Sequence, residues 1–282
     1  MTRLFCGLLA VWGCLAALTA PAAGQSVIPD ARLDAIVRKY VFEKRNNEEP
    51  LTADDLKTLS TIQGDATGVK SLDGLEHCHA LLLLDLHGGQ ISDLQPLAEL
   101  TDLQSLTLAN NKISDINPLA KLTSLQYLQL AGNQVEDISV VAGFENLRTL
   151  DLTDNRVKDL KPLAKATKVW SLYLDGNQVS DLTPLSSLTW LSTLGLSRNQ
   201  VKDLAPLQGS SEWKYLFLQE NKIANLGELL KMAEADAAGP QRFAPFWRIY
   251  LAGNPLSDEA QQKQAEAIRK LGGRVLLEDP KK

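Results

Sequence analysis

The sequence predicts an α/β solenoid: a curved parallel sheet with short helical or 3₁₀ segments on its convex side and a helical cap at each end. Three observations predict it. Asn111, Asn133, Asn155, Asn177, Asn199 and Asn221 recur every 22 residues, an internal period that points to stacked, near-identical coils. Each Asn follows an alternating Leu-x-Leu run, such as "LQYLQL" over 125–130, the pattern of a strand with one buried face. Pro96, Pro118, Pro162, Pro184 and Pro206 form a second column in the same frame. Proline suits the start of a helical turn, because the N–H it lacks would have had no partner there.

Taken in order, the first element lies outside the fold. Arg3, an apolar run from Leu4 to Leu18 and the stretch "TAPAAGQ" have the order of a secretory signal peptide over residues 1–24. The run is too short for a stable membrane span. A lipoprotein signal acylated on Cys14 is the rival, but Trp12 fits that motif poorly and the apolar run continues past Cys14. Residues 25–58 form an N-terminal helical cap. Within it "IPDARLDAIVRKYVFEK" sets Leu33, Ile36, Val37, Tyr40 and Val41 on one helical face, and Thr52 with Asp55 has the spacing of an N-cap.

The 22-residue coils occupy 59–225, with Gly89 and Thr67 where the Asn frame projects backwards. A helical insert fills 226–246, stopped at Gly239–Pro240. The last repeat and the C-terminal cap take 247–282. There "WRIYLAGNPL" restores the pattern with Asn254 in the Asn column, and "SDEAQQKQAEAIRKLGG" reads as a helix ending at Gly272–Gly273.

The repeat pattern L-x-x-L-x-L-x-x-N-x-[IV] resembles that of leucine-rich repeats, and the likeness covers about residues 59–256. The cap "IPDARL…LTADDLKTL" followed by "ISDLQPLAELTDLQSLTLANN" is similar to the internalin-type family of secreted bacterial leucine-rich repeat proteins. That resemblance implies a module exported to the medium, periplasm or envelope of a bacterium, gripping protein ligands on its curved face. The sequence carries no Leu-Pro-x-Thr-Gly sorting signal, so a host-invasion role is not carried over. Similar repeats occur in a cytosolic regulator of protein phosphatase 1, a scaffold reading that the signal peptide opposes.

Composition narrows the function. Net charge is −5 with Lys and Arg scattered along the chain, which lacks the basic stripe that nucleic acid requires. Cys6 and Cys14 fall in the signal segment, leaving Cys78 without an intrachain disulfide partner. All three histidines sit in "EHCHALLLLDLHGG" (76–89), yet the frame aligns Cys78 with Leu100, Leu122, Phe144 and Leu188, a core column. His79 and His87 are eight extended residues apart, roughly 25 Å, too far to share a metal. His87 with Asp85, Asp65 and Ser105 is a grouping that a repeat lattice produces easily. The expectation is therefore no enzyme, no metal and no cofactor. A second column, Asp93, Asp115, Asp137, Asp159, Asp181 and Asp203, reads either as acceptors of backbone N–H groups before each convex turn or as a calcium ladder.

The candidate site lies on the concave face. Residues six, four and two before each Asn point outward there, and they include Tyr127, Tyr173, Tyr215 and Tyr250, four of the five tyrosines. Phe217 joins them, with Trp170 and Trp247 one step outside. Exposed aromatics are enriched in protein-binding surfaces. The same face carries Asp65, Asp85, Asp151 and Asp175 against a lone Arg248, favouring a neutral or basic partner. The predicted protein or peptide site is centred on Tyr173, Tyr215, Phe217 and Tyr250, with Asp151 and Asp175 at its N-terminal edge and Tyr127 and Trp170 beside it. Cross-strand packing that merely shields the sheet, in an adhesive or structural envelope element, is the alternative.

Overall fold

A computed structural model describes residues 24–243 and 247–278. The signal-peptide and Cys14 expectations fall outside that range. Ten short parallel strands form one sheet in strictly sequential order: β1 (Thr61–Asp65), β2 (Leu83–His87), β3 (Ser105–Thr107), β4 (Tyr127–Gln129), β5 (Thr149–Asp151), β6 (Ser171–Tyr173), β7 (Thr193–Gly195), β8 (Tyr215–Phe217), β9 (Arg248–Tyr250) and β10 (Arg274–Leu276). From β2 to β8 each residue pairs with the one 22 positions on, as in Tyr127↔Thr149↔Ser171↔Thr193↔Tyr215. The sheet is thus a set of straight ladders, one sequence column per rung.

The return of each coil is a 3₁₀ turn rather than an α-helix. Asn117–Lys121, Lys161–Lys165, Thr183–Ser187 and Ala205–Gly209 are examples, with proline at the second position rather than the first. A coil of 22 residues leaves five for this side, and 3₁₀ geometry covers more length per residue than an α-helix. Each aspartate of the second column accepts the N–H two residues on, as Asp115 does from Asn117 (2.8 Å) and Asp181 from Thr183 (2.8 Å). These carboxylates satisfy the turn's free amides.

Between sheet and turns lies one continuous core. Leu128, Leu130, Leu150, Leu152, Leu172, Leu174, Leu194 and Leu196 are completely buried, so each coil covers apolar surface that its neighbour cannot bury alone.

Both ends are closed, by different devices. At the N-terminus α1 (Ala31–Val37) packs on β1 and α2 (Ala53–Leu56) on the 3₁₀ turn Leu75–His77, and Thr52 with Asp55 forms a reciprocal capping box. The hydroxyl of Tyr40 both accepts from the Gln63 N–H (3.0 Å) and donates to its carbonyl (2.9 Å), blunting the open edge of the sheet. At the other end α3 (Gly227–Ala238) replaces one 3₁₀ turn, and a π turn (Ala260–Gln264) leads into α4 (Ala265–Lys270). The chain then adds β10 beside β9, a strand the 22-residue frame does not contain.

Candidate functional site

The concave face rests on the Asn column. The Asn155 side chain donates to the carbonyls of Leu130 (2.8 Å) and Leu152 (3.1 Å) and accepts the Val135 N–H (2.9 Å). Asn177 repeats the set with Leu152, Leu174 and the Val157 N–H. One amide therefore ties two coils together and satisfies backbone groups that have no other access to a partner. Asn254 makes the same kinds of bond, but it is less buried than the interior members of the column.

The residue before each Asn, and before Gly89 in the same column, is left-handed. Gly88, Asn110, Gly132, Asp154, Gly176, Arg198, Glu220 and Gly253 all have φ between 52° and 79°. A Cβ on Gly176 would stand 2.1 Å from Asp154 Oδ1 and 3.1 Å from Arg198 Nη2. Glycine here lets Asp154 and Arg198, 44 residues apart, meet across the intervening coil at 2.8 Å.

The strands present their outward residues in two rows. The first is Gln129–Asp151–Tyr173–Gly195–Phe217–Tyr250; the second is Tyr127–Thr149–Ser171–Thr193–Tyr215–Arg248. Aromatics concentrate toward the C-terminal coils. Phe217 stacks on Tyr250 with ring centroids 4.8 Å apart and planes 16° apart. Tyr215 lies 6.1 Å from Phe217 and within 4° of parallel, and the Arg248 guanidinium sits 5.8 Å over the Tyr215 ring. All four side chains stay half-buried, one face packed and the other toward the hollow. Tyr173 lies across Gly195 from Phe217. Without a side chain at Gly195 the row has a notch, which Tyr173 and Asp175 lean over: a Cβ there would meet them at 3.2 and 2.1 Å.

The carboxylates divide into two kinds. Asp85 and His87 pair at 2.9 Å near the N-terminal end, and Asp65, engaged by Thr67, titrates below the usual carboxylate range. The Tyr127 hydroxyl is pushed up, first by burial and then by the charges of Asp151 and Asp85, which marks this part of the face as negative. Asp175 differs. It accepts the Ser197 N–H at 2.8 Å, and burial outweighs that bond and lifts its pKa above the usual value. It belongs to the sheet's own packing more than to the open edge foreseen for it.

One of the two tryptophans departs from expectation. Trp247, foreseen just outside the concave surface, is 1% exposed and packs against Phe243 with ring centroids 4.8 Å apart and planes tilted by 53°. It is core, because Phe243 of the insert lies against it, whereas Trp170 in the same column has no such cover. Trp170 remains 52% exposed, but it stands ahead of β6 on the flank where chains enter the sheet, its indole N–H donating to Thr149 Oγ1 at 3.3 Å. Its neighbour there is Trp190, 66% exposed, which column reasoning confined to the strands overlooked.

In the histidine-rich stretch Cys78 is fully buried. Burial first, then Glu76, raises its thiol to about 12, so it forms no thiolate at neutral pH. Among the described residues no three His, Cys, Asp or Glu side chains gather to hold a metal ion. What the geometry offers is a sheet whose outward rows carry stacked aromatic rings at one end and carboxylates at the other.

Residues 101–143, 123–165 and 145–187 match the family described as Leucine Rich repeats (2 copies). Among solved structures, internalin C2 of Listeria monocytogenes is similar over 92% of this chain and 99% of its own, at 29% identity and TM-score 0.64. A second Listeria monocytogenes internalin matches over 90% of each chain, at 24% identity and TM-score 0.53. A plant peptide hormone receptor shares the fold over 65% of this chain and 34% of its own, at 19% identity and TM-score 0.51. In repeat sequence and in the build of its solenoid, this chain resembles the internalins among leucine-rich repeat proteins.

Proposed function

We propose that the protein is an exported, non-enzymatic module that holds a protein or peptide on its concave sheet. The observation that carries this reading is the aromatic run of Tyr215, Phe217 and Tyr250, stacked ring on ring with one face left to the hollow. Preformed rings lose little freedom on binding, and tyrosine is among the residues that dominate interface energetics. The signal-like first residues and the likeness to internalin C2 support an extracytoplasmic setting. The carboxylates toward the N-terminal coils favour a neutral or basic partner.

The test uses the chain without residues 1–24 as bait against an envelope extract of its own organism. Tyr215→Ala and Phe217→Ala should each weaken capture of the recovered ligand by ~1–3 kcal/mol. A ligand held equally well by wild type and both variants places binding off the concave face. For export, mass spectrometry of the native protein should find a first residue between Ala22 and Ser26. The stacking itself favours a second reading, an envelope element whose rings only shield the sheet. In that case no saturable partner is recovered, and the two variants change stability alone.

A further inference from the structure

The flank where the chain enters each strand carries a feature separate from the concave rows. An open groove there is lined by Arg148, Lys168, Trp170, Trp190, Glu212 and Lys214. Its two tryptophans are the large aromatic side chains most open to water among the described residues, Phe42 aside. Two exposed indoles on neighbouring coils put a strip of apolar surface into one groove, the kind of surface a solvated face does not need.

The charge around that strip runs against the rest of the molecule. Among the described residues, Arg148, Lys168 and Lys214 have no carboxylate within ion-pair distance. Lys168 Nζ touches only the Asn146 amide oxygen, at 2.9 Å. The one carboxylate of the groove, Glu212, is taken by Arg242. Three unmatched cations frame two tryptophans on a chain whose net charge is −5, so the local field attracts anions.

We propose that this flank is a second binding site, for an acidic peptide segment of a partner protein, and it does not depend on the concave reading. Arg148, Trp170, Ser192 and Lys214 occupy one column on four successive coils. With strands ~4.8 Å apart, the two cations lie three spacings, ~14 Å, from each other, which an extended peptide spans in about four residues. The matching ligand carries two carboxylates about four positions apart, with apolar side chains between them seated on Trp170 and Trp190. Arginine and tryptophan at the centre of a patch are the composition of interface hot spots. An anionic membrane or a long polyanion suits the site less well, because both would extend onto the concave carboxylates Asp151 and Asp175.

The probe is a synthetic nine-residue peptide with two glutamates four positions apart and leucines between them, read by tryptophan emission and by polarisation of a labelled copy. The wild-type chain should bind it at least about tenfold tighter than the peptide with both glutamates replaced by glutamine. Affinity should fall as NaCl is raised, since the cations are exposed. Trp190→Ala and Arg148→Glu should each cost about tenfold or more, and the convex Lys121→Glu should cost nothing. Should Arg148→Glu fail to fold, the pair Lys168→Glu and Lys214→Glu takes its place, with an unchanged melting temperature as the criterion.

Equal binding of the two peptides overturns the proposal, and so does no binding up to about 1 mM. A loss on Tyr215→Ala as large as on Trp190→Ala moves the peptide to the concave sheet and also overturns it. Binding of polygalacturonate or phosphatidylserine vesicles in place of the peptide overturns the peptide assignment.

Discussion

The inside of this solenoid and its concave skin share one backbone frame, yet they follow opposite rules. Inside, the coils agree: Leu128, Leu150, Leu172 and Leu194 occupy one column, all fully buried. On the skin, one rung away, the corresponding row reads Gln129, Asp151, Tyr173, Gly195, Phe217 and Tyr250. Exclusion of water is a demand every coil makes in the same way, so it selects one residue type. The outward row has no such common demand, and its variation carries whatever is particular to this protein.

The contrast can be broken first at the core. Leu172→Ala should destabilise the chain by ~2–5 kcal/mol, read as a lowered urea midpoint, because the rigid columns on either side cannot close the cavity. A loss below that range would mean that the interior is plastic. Next comes the lattice that ties coil to coil. Asn177→Ala leaves two carbonyls and one N–H without their partner, at ~1–3 kcal/mol, whereas Asn254→Ala, less buried, should cost less. Equal losses at the two sites would remove the distinction between interior and end.

On the skin, Phe217→Ala should lose ~0.5–1.5 kcal/mol of aromatic stacking plus the smaller burial of a half-exposed ring, a total below that at Leu172. Its loss should be read in capture of the ligand, as for Tyr215, more than in the urea midpoint. The smallest effect is expected at Asp175. Burial raises its folded pKa above 3.8, so its contribution is fully present below that value and is lost as pH rises through the folded pKa. Asp175→Asn keeps an acceptor for Ser197, so it should melt above wild type near neutral pH and with it near pH 3. Asp30 gives the opposite sign. Burial pushes its pKa up, but backbone N–H groups of Lys70, Leu33, Ser71 and Arg32 bring it below the ordinary value. Its share of stability is therefore present above pH 3.8 and lost as pH falls through the lowered value.

The sequence was most informative where one residue per coil answers one demand. The Asn, Leu and Asp columns gave the solenoid, the strand positions and the turn acceptors directly, because each is a local rule repeated. The caps were partly legible: Thr52 and Asp55 announced their capping box, but nothing local marks Tyr40 as the group that closes the edge of β1. β10 was invisible because its pairing with β9 is fixed by how the C-terminal helix turns back. The same limit separates Trp170 from Trp247. They share a column, yet one is exposed and one is buried, since burial at the array's end depends on an insert that the period does not describe. Asp175 and Gly195 show it within the site: a carboxylate that column counting aims at solvent leans instead over a neighbour's missing side chain.

The left-handed column has a consequence for the array's length. From Gly88 to Arg198 it alternates glycine with a side chain, and Asp154 reaches Arg198 only because Gly176 stands between them. The molecule thus keeps a 44-residue beat over its 22-residue one, until Arg198 and Glu220 follow each other. Excising one coil from that stretch puts two side chains, or two glycines, in adjacent left-handed positions. Excising two in succession preserves the alternation. Shortened variants of this protein should accordingly tolerate the loss of coils in pairs better than singly, so that the smallest interchangeable part of the array is a doublet.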